Sequence, residues 1–296
     1  MIDLHIHTVA SDGADTPAQV LDQVRAKRLK AFAIADHNTI GSLEQMYALA
    51  RDARVPFFPA SEIDTLYKDK DLHLLCYGIR FDLPECVKWM TEISEMKLDQ
   101  TRRRVEKLKQ LGFRIEYDEL LKISHGKMPS GGDYVKALSS TPEGKADPRV
   151  QNYLTGPRAN SPYMNFYLDW LKADKPAFVP FEQMDCDRVI RKAVGMGAVA
   201  VLAHPTDTPI EYVKELKTAG LSALEVYTSY HSPEKSAYWK KAAQQVGVFI
   251  TAGSDYHGKP VKPNVIMGIE CQEEDEILAN LSAALAKSKG IYLPLH

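Results

Sequence analysis

Two stretches of this 296-residue chain keep the same beat, a short apolar run followed by an amphipathic segment. Near the start come MIDLHIH, PAQVLDQVRAKRL, AFAIAD, SLEQMYALARDA and VPFFPASE. After residue 186 come DRVIRKAVGMG, AVAVLAHP, IEYVKELKTAG, LSALEVYTS, PEKSAYWKKAAQQVG and VFITAGSDYH, then a last helical stretch near 273–288. Apolar runs of four to eight residues bounded by turn residues read as buried strands, and the longer amphipathic segments as helices. Strand and helix in strict alternation imply a parallel sheet or barrel, because parallel strands need crossover connections. The fold class is therefore α/β.

The middle, 83–184, breaks the beat. It opens with ECVKWMTEISEMKLDQTRRRVEKLKQLG, a long helical pattern ended by Gly112, and continues through SGGD, TPEGKADP and TGPRANSP, which read as loops between small helices. It reads as a mainly helical insertion that caps a domain built from 1–82 and 185–296. The aromatic run YMNFYLDW has helical spacing and is expected in the core of that insertion.

Apolar residues make up 45% and charged residues 26%, enough for a substantial core. A net charge of −2 with the signs well mixed offers no global field for nucleic acid or anionic lipid, so an extended nucleic-acid partner is not expected. Cys76, Cys86, Cys186 and Cys271 lack CxxC spacing, which fits a reducing compartment. With no leader-like start and no run of about 18 apolar residues, a cytoplasmic protein without a membrane partner is expected.

The chemistry lies where strands stop. In DLHIHT, alternation puts His5 and His7 on one face with Asp3, so two imidazoles converge. A lone HxH is a weak signal. Yet the second strand ends in Asp36 and His37, the third in Glu62, the fourth carries His73, AVAVLAHP ends at His204, and GSDYH supplies Asp255 and His257. Functional groups of βα barrels gather at strand C-termini, and six of the nine histidines fall there or on a strand entering that face. Scattered core histidines have no reason to choose one end. With Asp12, the candidate metal ligands are His5, His7, Asp12, His37, Glu62, His73, His204, Asp255 and His257. One catalytic zinc takes about three protein ligands, so nine donors imply two or three divalent ions of the Mn, Fe or Zn type.

In their order, DLHIHT with SDG, ADHNT, the Glu62 strand, HLLCYGI, AHP and GSDYH resemble the motifs of the polymerase and histidinol phosphatase (PHP) phosphoesterases. The resemblance implies a distorted seven-stranded (β/α) barrel with a helical insertion and phosphate-ester hydrolysis. It also implies one metal on His5, His7, Glu62 and Asp255, a second on His73 and His204 bridged by Glu62, and a third on Asp12, His37 and His257. Several relatives carry histidine at the position of Asp12, and a hard carboxylate there favours Mn or Mg.

Asp255 and His231 are the candidate catalytic residues, His231 as general acid or phosphate contact. Arg158 and Lys127, in loops of the insertion, are candidate phosphate contacts, Arg158 through a two-bonded guanidinium. The Arg102–Arg104 run reads as a solvated helix face. The leading activity is hydrolysis of a nucleoside mono- or bisphosphate. Opening of a phosphoribosyl cyclic phosphate follows, then exonuclease action on short oligonucleotides, then a metal-stabilised binding module without turnover. C–N bond hydrolysis also begins with HxH on a first strand, but the DH pair and GSDYH favour phosphate esters.

Overall fold

The computed structural model describes residues 1–181 and 184–295. The strands are β1 (Asp3–Ile6), β2 (Phe32–His37), β3 (Phe57–Tyr67), β4 (Lys70–Tyr77), β5 (Val199–Leu202), β6 (Ala223–Tyr227) and β7 (Phe249–Ala252). They form one seven-stranded sheet in sequence order. Twelve α-helices accompany them among the described residues.

The βα rhythm predicts parallel neighbours, and the sheet departs from that at one strand. β4 runs antiparallel to both β3 and β5, while the other neighbours are parallel. The cause is a tight hairpin at Lys68–Asp69, with Lys68 at φ 54°, which sends the chain straight back. β3 is correspondingly longer than expected. Glu62 sits in mid-strand, paired with His37 on one side and Leu75 on the other, and does not end the strand.

The chain divides into two compact units, 1–91 with the chain from 182 onward, and Glu92–Phe181. The division falls inside the helix α3 (Pro84–Gln110). The sequence puts the same boundary slightly earlier, at 83.

In the first unit, residues two apart on a strand share a face. On β2 that face reads Ala33, Ala35, His37; on β3 it reads Phe58, Ala60, Glu62; on β4, read backwards, Tyr77, Leu75, His73. The apolar members of these series join Val199, Val201 and Ala223 in a buried cluster that packs on Ile277, Leu278, Leu281 and Leu285 of the helix α12 (Glu274–Ser288). Burying each large aliphatic there contributes about 1.5–3 kcal/mol. Each of these three strands thus anchors itself on two apolar residues and presents a donor two positions further on. Because β4 is reversed, its donor comes early in the strand and still arrives at the same rim.

Helix ends are specified locally. Thr16 and Gln19 form a reciprocal capping box at α1 (Pro17–Ala26), and Gly220 and Gly247 end α10 (Ile210–Ala219) and α11 (Pro233–Val246) in left-handed conformation.

The second unit is helical. Its core gathers Val105 and Leu108 of α3 with Phe113, Tyr134, Val150, Tyr153, Phe166 and Leu171. The aromatic run lies in α8 (Pro162–Phe166) and a following π-helical turn, Tyr167–Leu171, with Phe166 fully buried.

Candidate metal centre

Glu62 is fully buried and addresses two sets of imidazoles with its two oxygens. Oε2 lies 3.0 Å from His5 Nε2, 3.1 Å from His7 Nε2 and 3.3 Å from His37 Nε2. Oε1 lies 2.8 Å from His73 Nδ1 and 3.0 Å from His204 Nε2. Asp255 Oδ1 faces His7 Nε2 at 3.1 Å and His5 Nε2 at 3.6 Å. Asp12 faces His257 Nε2 at 3.3 Å, His7 Nδ1 at 3.4 Å and His37 Nε2 at 3.9 Å.

Three donor sets emerge, each with its ligand atoms within 4.8 Å of one another: His5, His7, Glu62 and Asp255; His7, Asp12, His37 and His257; and His37, Glu62 and His73. All nine expected ligands are brought to this one rim. His204 lies outside the three sets and reaches the cluster through Glu62 Oε1.

Both ring nitrogens of buried His7, and Oδ1 of Asp255, have no hydrogen-bond partner although they lie close together. Leaving such atoms unsatisfied costs about 1–3 kcal/mol each. Lone pairs converging on shared points, out of hydrogen-bond geometry with one another, fit divalent cations.

The electrostatics of the metal-free cluster agree. Burial pushes the His5 imidazole down, but Glu62, Glu225 and Asp255 outweigh it and lift the group to about 10. His73 is likewise lifted, against burial and chiefly by Glu62, to about 9. Burial opposes ionisation of Glu62, yet His37, His5 and His73 hold its carboxyl well below the usual range. Protons on the imidazoles occupy the role that metal charge takes when ions bind.

The backbone is bent to make this rim. His204 (φ 26°) and Asp255 (φ 58°) are left-handed, a conformation costing non-glycine residues of order 1–3 kcal/mol and concentrated at functional sites. Gly253 has a different task. A Cβ there would come within 2.3 Å of His5 Cβ and 2.6 Å of Glu225 Oε1, so only glycine lets β7 approach this close.

Several residues outside the nine expected ligands support the rim. Glu225 on β6 accepts from the His204 backbone N–H at 2.9 Å and lies 3.0 Å from His5 Nδ1, so one carboxylate orients two of the expected ligands. Buried Asp3 accepts from the backbone N–H groups of Ser254 and Gly268 and from the Ser254 hydroxyl, tying the GSDYH turn to β1. Burial raises its carboxyl to about 6. Asp36 accepts from Thr8 N–H, Thr8 Oγ1 and Ser11 Oγ, each at 2.7 Å, and from Ser42, fixing the loop that carries Asp12. The only hint of Asp36 in the sequence is its place before His37.

His231 lies on the connection after β6. Its Nδ1 sits 2.8 Å from the Val226 carbonyl, which can only accept, so the neutral ring carries its proton on Nδ1 and a lone pair on Nε2. Burial holds its pKa below the ordinary value. Arg158 and Lys127 belong to the second unit. Arg158 grips Asp169 through Nε at 2.9 Å and through a terminal nitrogen, and Tyr153 donates to the same carboxylate at 2.7 Å. Lys127 follows α4 (Tyr117–Ile123), its N–H donating to the Ser124 carbonyl at 3.1 Å.

A PHP domain model matches residues 3–158. The chain belongs to the PHP family. That match ends before β5, so His204, Asp255 and His257 are joined to the site by the geometry described above. Among characterised PHP-type relatives, the 3′,5′-nucleoside bisphosphate phosphatase of Chromobacterium violaceum is 26% identical over 86% of this chain and 87% of its own. The phosphoribosyl 1,2-cyclic phosphate 1,2-diphosphodiesterase of Eggerthella lenta is 22% identical over 87% and 94%. A 5′-3′ exoribonuclease of Haemophilus influenzae is 23% identical over 86% and 89%. A solved structure from Bifidobacterium adolescentis, assigned as a metal-dependent phosphoesterase, superposes with a TM-score of 0.72 at 25% identity, covering 94% of this chain and 96% of that one. This PHP chain is a metal-dependent phosphoester hydrolase. None of its described helices is long and apolar enough to cross a membrane.

Proposed function

We propose that this PHP chain removes phosphate from a small phosphorylated metabolite, a nucleoside mono- or bisphosphate before others. The observation that carries the reading is Glu62, whose two oxygens face two separate imidazole sets, the arrangement of a carboxylate shared between neighbouring cations. Two or three divalent ions of the Mn, Fe or Zn type would be held, one by His5, His7, Glu62 and Asp255, one by Glu62, His73 and His204, and a third by Asp12, His37 and His257. Such ions activate water and neutralise phosphoryl oxygens.

The protein's own part is placement. The sheet fixes Glu62 between its neighbours, the strained backbone aims His204 and Asp255, and Glu225 holds His5 and His204 for a phosphoryl group to settle among them. His231, with its lone pair on Nε2, suits acceptance of a hydrogen bond from a substrate hydroxyl better than donation of a proton. We also read the sheet as a closed, distorted barrel. His7 N–H donates to the Tyr256 carbonyl at 2.8 Å and Tyr256 N–H to the His5 carbonyl at 3.3 Å, linking β1 to the turn after β7.

The relatives' activities divide the substrate question into monoester, cyclic diester and oligonucleotide. AMP, adenosine 3′,5′-bisphosphate, a ribosyl cyclic phosphate, histidinol phosphate and a short RNA would be compared with Mn²⁺ by released phosphate or shortened product. The bisphosphate or AMP is expected to show the highest kcat/KM. Preference for RNA with strong salt dependence would replace this reading, because contact with many phosphates releases counterions.

A further inference from the structure

Asp255 has two oxygens with opposite surroundings. Oδ1 faces His5, His7 and His257 and has no hydrogen-bond partner. Oδ2 is fully engaged from the other side. Lys262 Nζ donates to it at 2.5 Å, and the Tyr230 hydroxyl also donates to it. Lys262 donates in turn to the Tyr230 hydroxyl at 2.7 Å, closing a three-membered ring of contacts. Lys262 is only 9% exposed, and its position is fixed locally because its N–H returns to the carbonyl of left-handed Gly258 at 2.9 Å. The Tyr230 ring also stands edge-on against His204, with centroids 5.6 Å apart.

We infer that Lys262 and Tyr230 are positioning residues that confine Asp255 to one ligating oxygen. A free carboxylate beside a divalent ion can swing to bind through both oxygens, which suits large, high-coordinate ions such as Ca²⁺. With Oδ2 occupied by an ammonium and a hydroxyl, only Oδ1 can turn toward the rim. Six-coordinate or smaller ions of the Mn or Zn type are then favoured over Ca²⁺. Tyr230 extends the effect, since the side chain that touches Oδ2 also backs the His204 ring, so ligands of two neighbouring ions share one support.

The inference rests on Asp255 ligating metal, as proposed above. It is distinct from a simple charge effect. If Lys262 only balanced charge, its removal would leave the rim more negative and tighten every divalent cation. If it positions, removal weakens Mn²⁺ while leaving or improving Ca²⁺.

The test is direct titration of the metal-stripped full-length protein with Mn²⁺, followed by electron paramagnetic resonance, and with Ca²⁺ by calorimetry, for wild type, Lys262→Met, Lys262→Arg and Tyr230→Phe. Lys262→Met is expected to lose roughly 10–100-fold in Mn²⁺ affinity, the usual effect of removing a partner behind a ligand, with Ca²⁺ affinity unchanged or higher. Lys262→Arg should recover most of the loss, and Tyr230→Phe, which leaves the lysine in place, should show a smaller shift in the same direction with a broadened Mn²⁺ signal. Uniform tightening of both cations in Lys262→Met, or unchanged Mn²⁺ affinity in both Lys262→Met and Tyr230→Phe, overturns the inference while leaving the metal reading intact. Wild-type protein that binds no Mn²⁺ overturns both. Should Lys262→Met fail to fold, the decision passes to Tyr230→Phe and Lys262→Arg.

Discussion

Both compact units bury an apolar core, and they differ in what is buried beside it. The sheet unit sequesters Asp3, His5, His7, Asp36, Glu62, Glu225, Asp255 and His257, charges and imidazoles gathered around unsatisfied atoms. The helical unit is centred on Phe113, Tyr134, Tyr153, Phe166 and their aliphatic neighbours. The first adds to its apolar core an arrangement that a cation completes, whereas the second rests chiefly on apolar area removed from water. Metal and pH should therefore act on the first unit, while cavities are the main liability of the second.

The largest expected effect breaks the helical side. Phe166→Ala removes a fully buried ring and should cost about 3–5 kcal/mol, seen as faster hydrogen exchange across 92–181, with Mn²⁺ titration of the sheet unit unchanged. If Mn²⁺ affinity falls with it, the two units are not energetically separate. Next, Glu62→Gln keeps the shape and removes the shared charge. Turnover should fall roughly 100-fold or more with metal stoichiometry reduced, while exchange in 92–181 stays as in wild type. Gly253→Ala comes third, since the added methyl meets His5 and Glu225, and overpacking of this kind costs about 1–3 kcal/mol. Its melting temperature and Mn²⁺ affinity should drop together.

The pH prediction sharpens the contrast. With His5 at about 10 and His73 at about 9 in the metal-free protein, both lifted above an ordinary imidazole, their contribution to stability is complete below about pH 6.5 and is lost as pH rises through 9–10. Metal must displace those protons, so the metal-loaded fold gains relative to the metal-free one as pH rises. Calorimetry at pH 7 in buffers of different ionisation enthalpy should register proton release, and a buffer-independent heat would contradict the assignment of these two ligands. The smallest effect concerns Arg158. Its solvent-exposed pair with Asp169 is screened by water, so Arg158→Ala should change melting little. A rise in KM for a bisphosphate would add a substrate role to that pairing.

Much of the sheet unit was legible because strands write their burial as alternation, and donors placed two residues beyond apolar pairs stand out against that pattern. The reversal of β4 was not. Its hairpin turns on Lys68–Asp69, without the Asn-Gly or Asp-Gly that usually betrays such a turn, and the strand beyond it has the same apolar composition as its parallel neighbours. The candidate ligands were visible as a set because histidine is scarce, whereas Glu225, Asp36 and Lys262 are ordinary acids and a lysine among 39 acidic and 37 basic residues. Their importance comes from partners up to 220 positions away, a relation that no local pattern encodes.

Glu62 stands inside the ladder, hydrogen-bonded strands on either side, whereas His204, Asp255 and His257 lie just past the ends of their strands. The spacing of the cations it would share is thereby set by pleat geometry. Surface loops can be exchanged through evolution or by design to suit a new leaving group, and the reactive pair would keep its pitch.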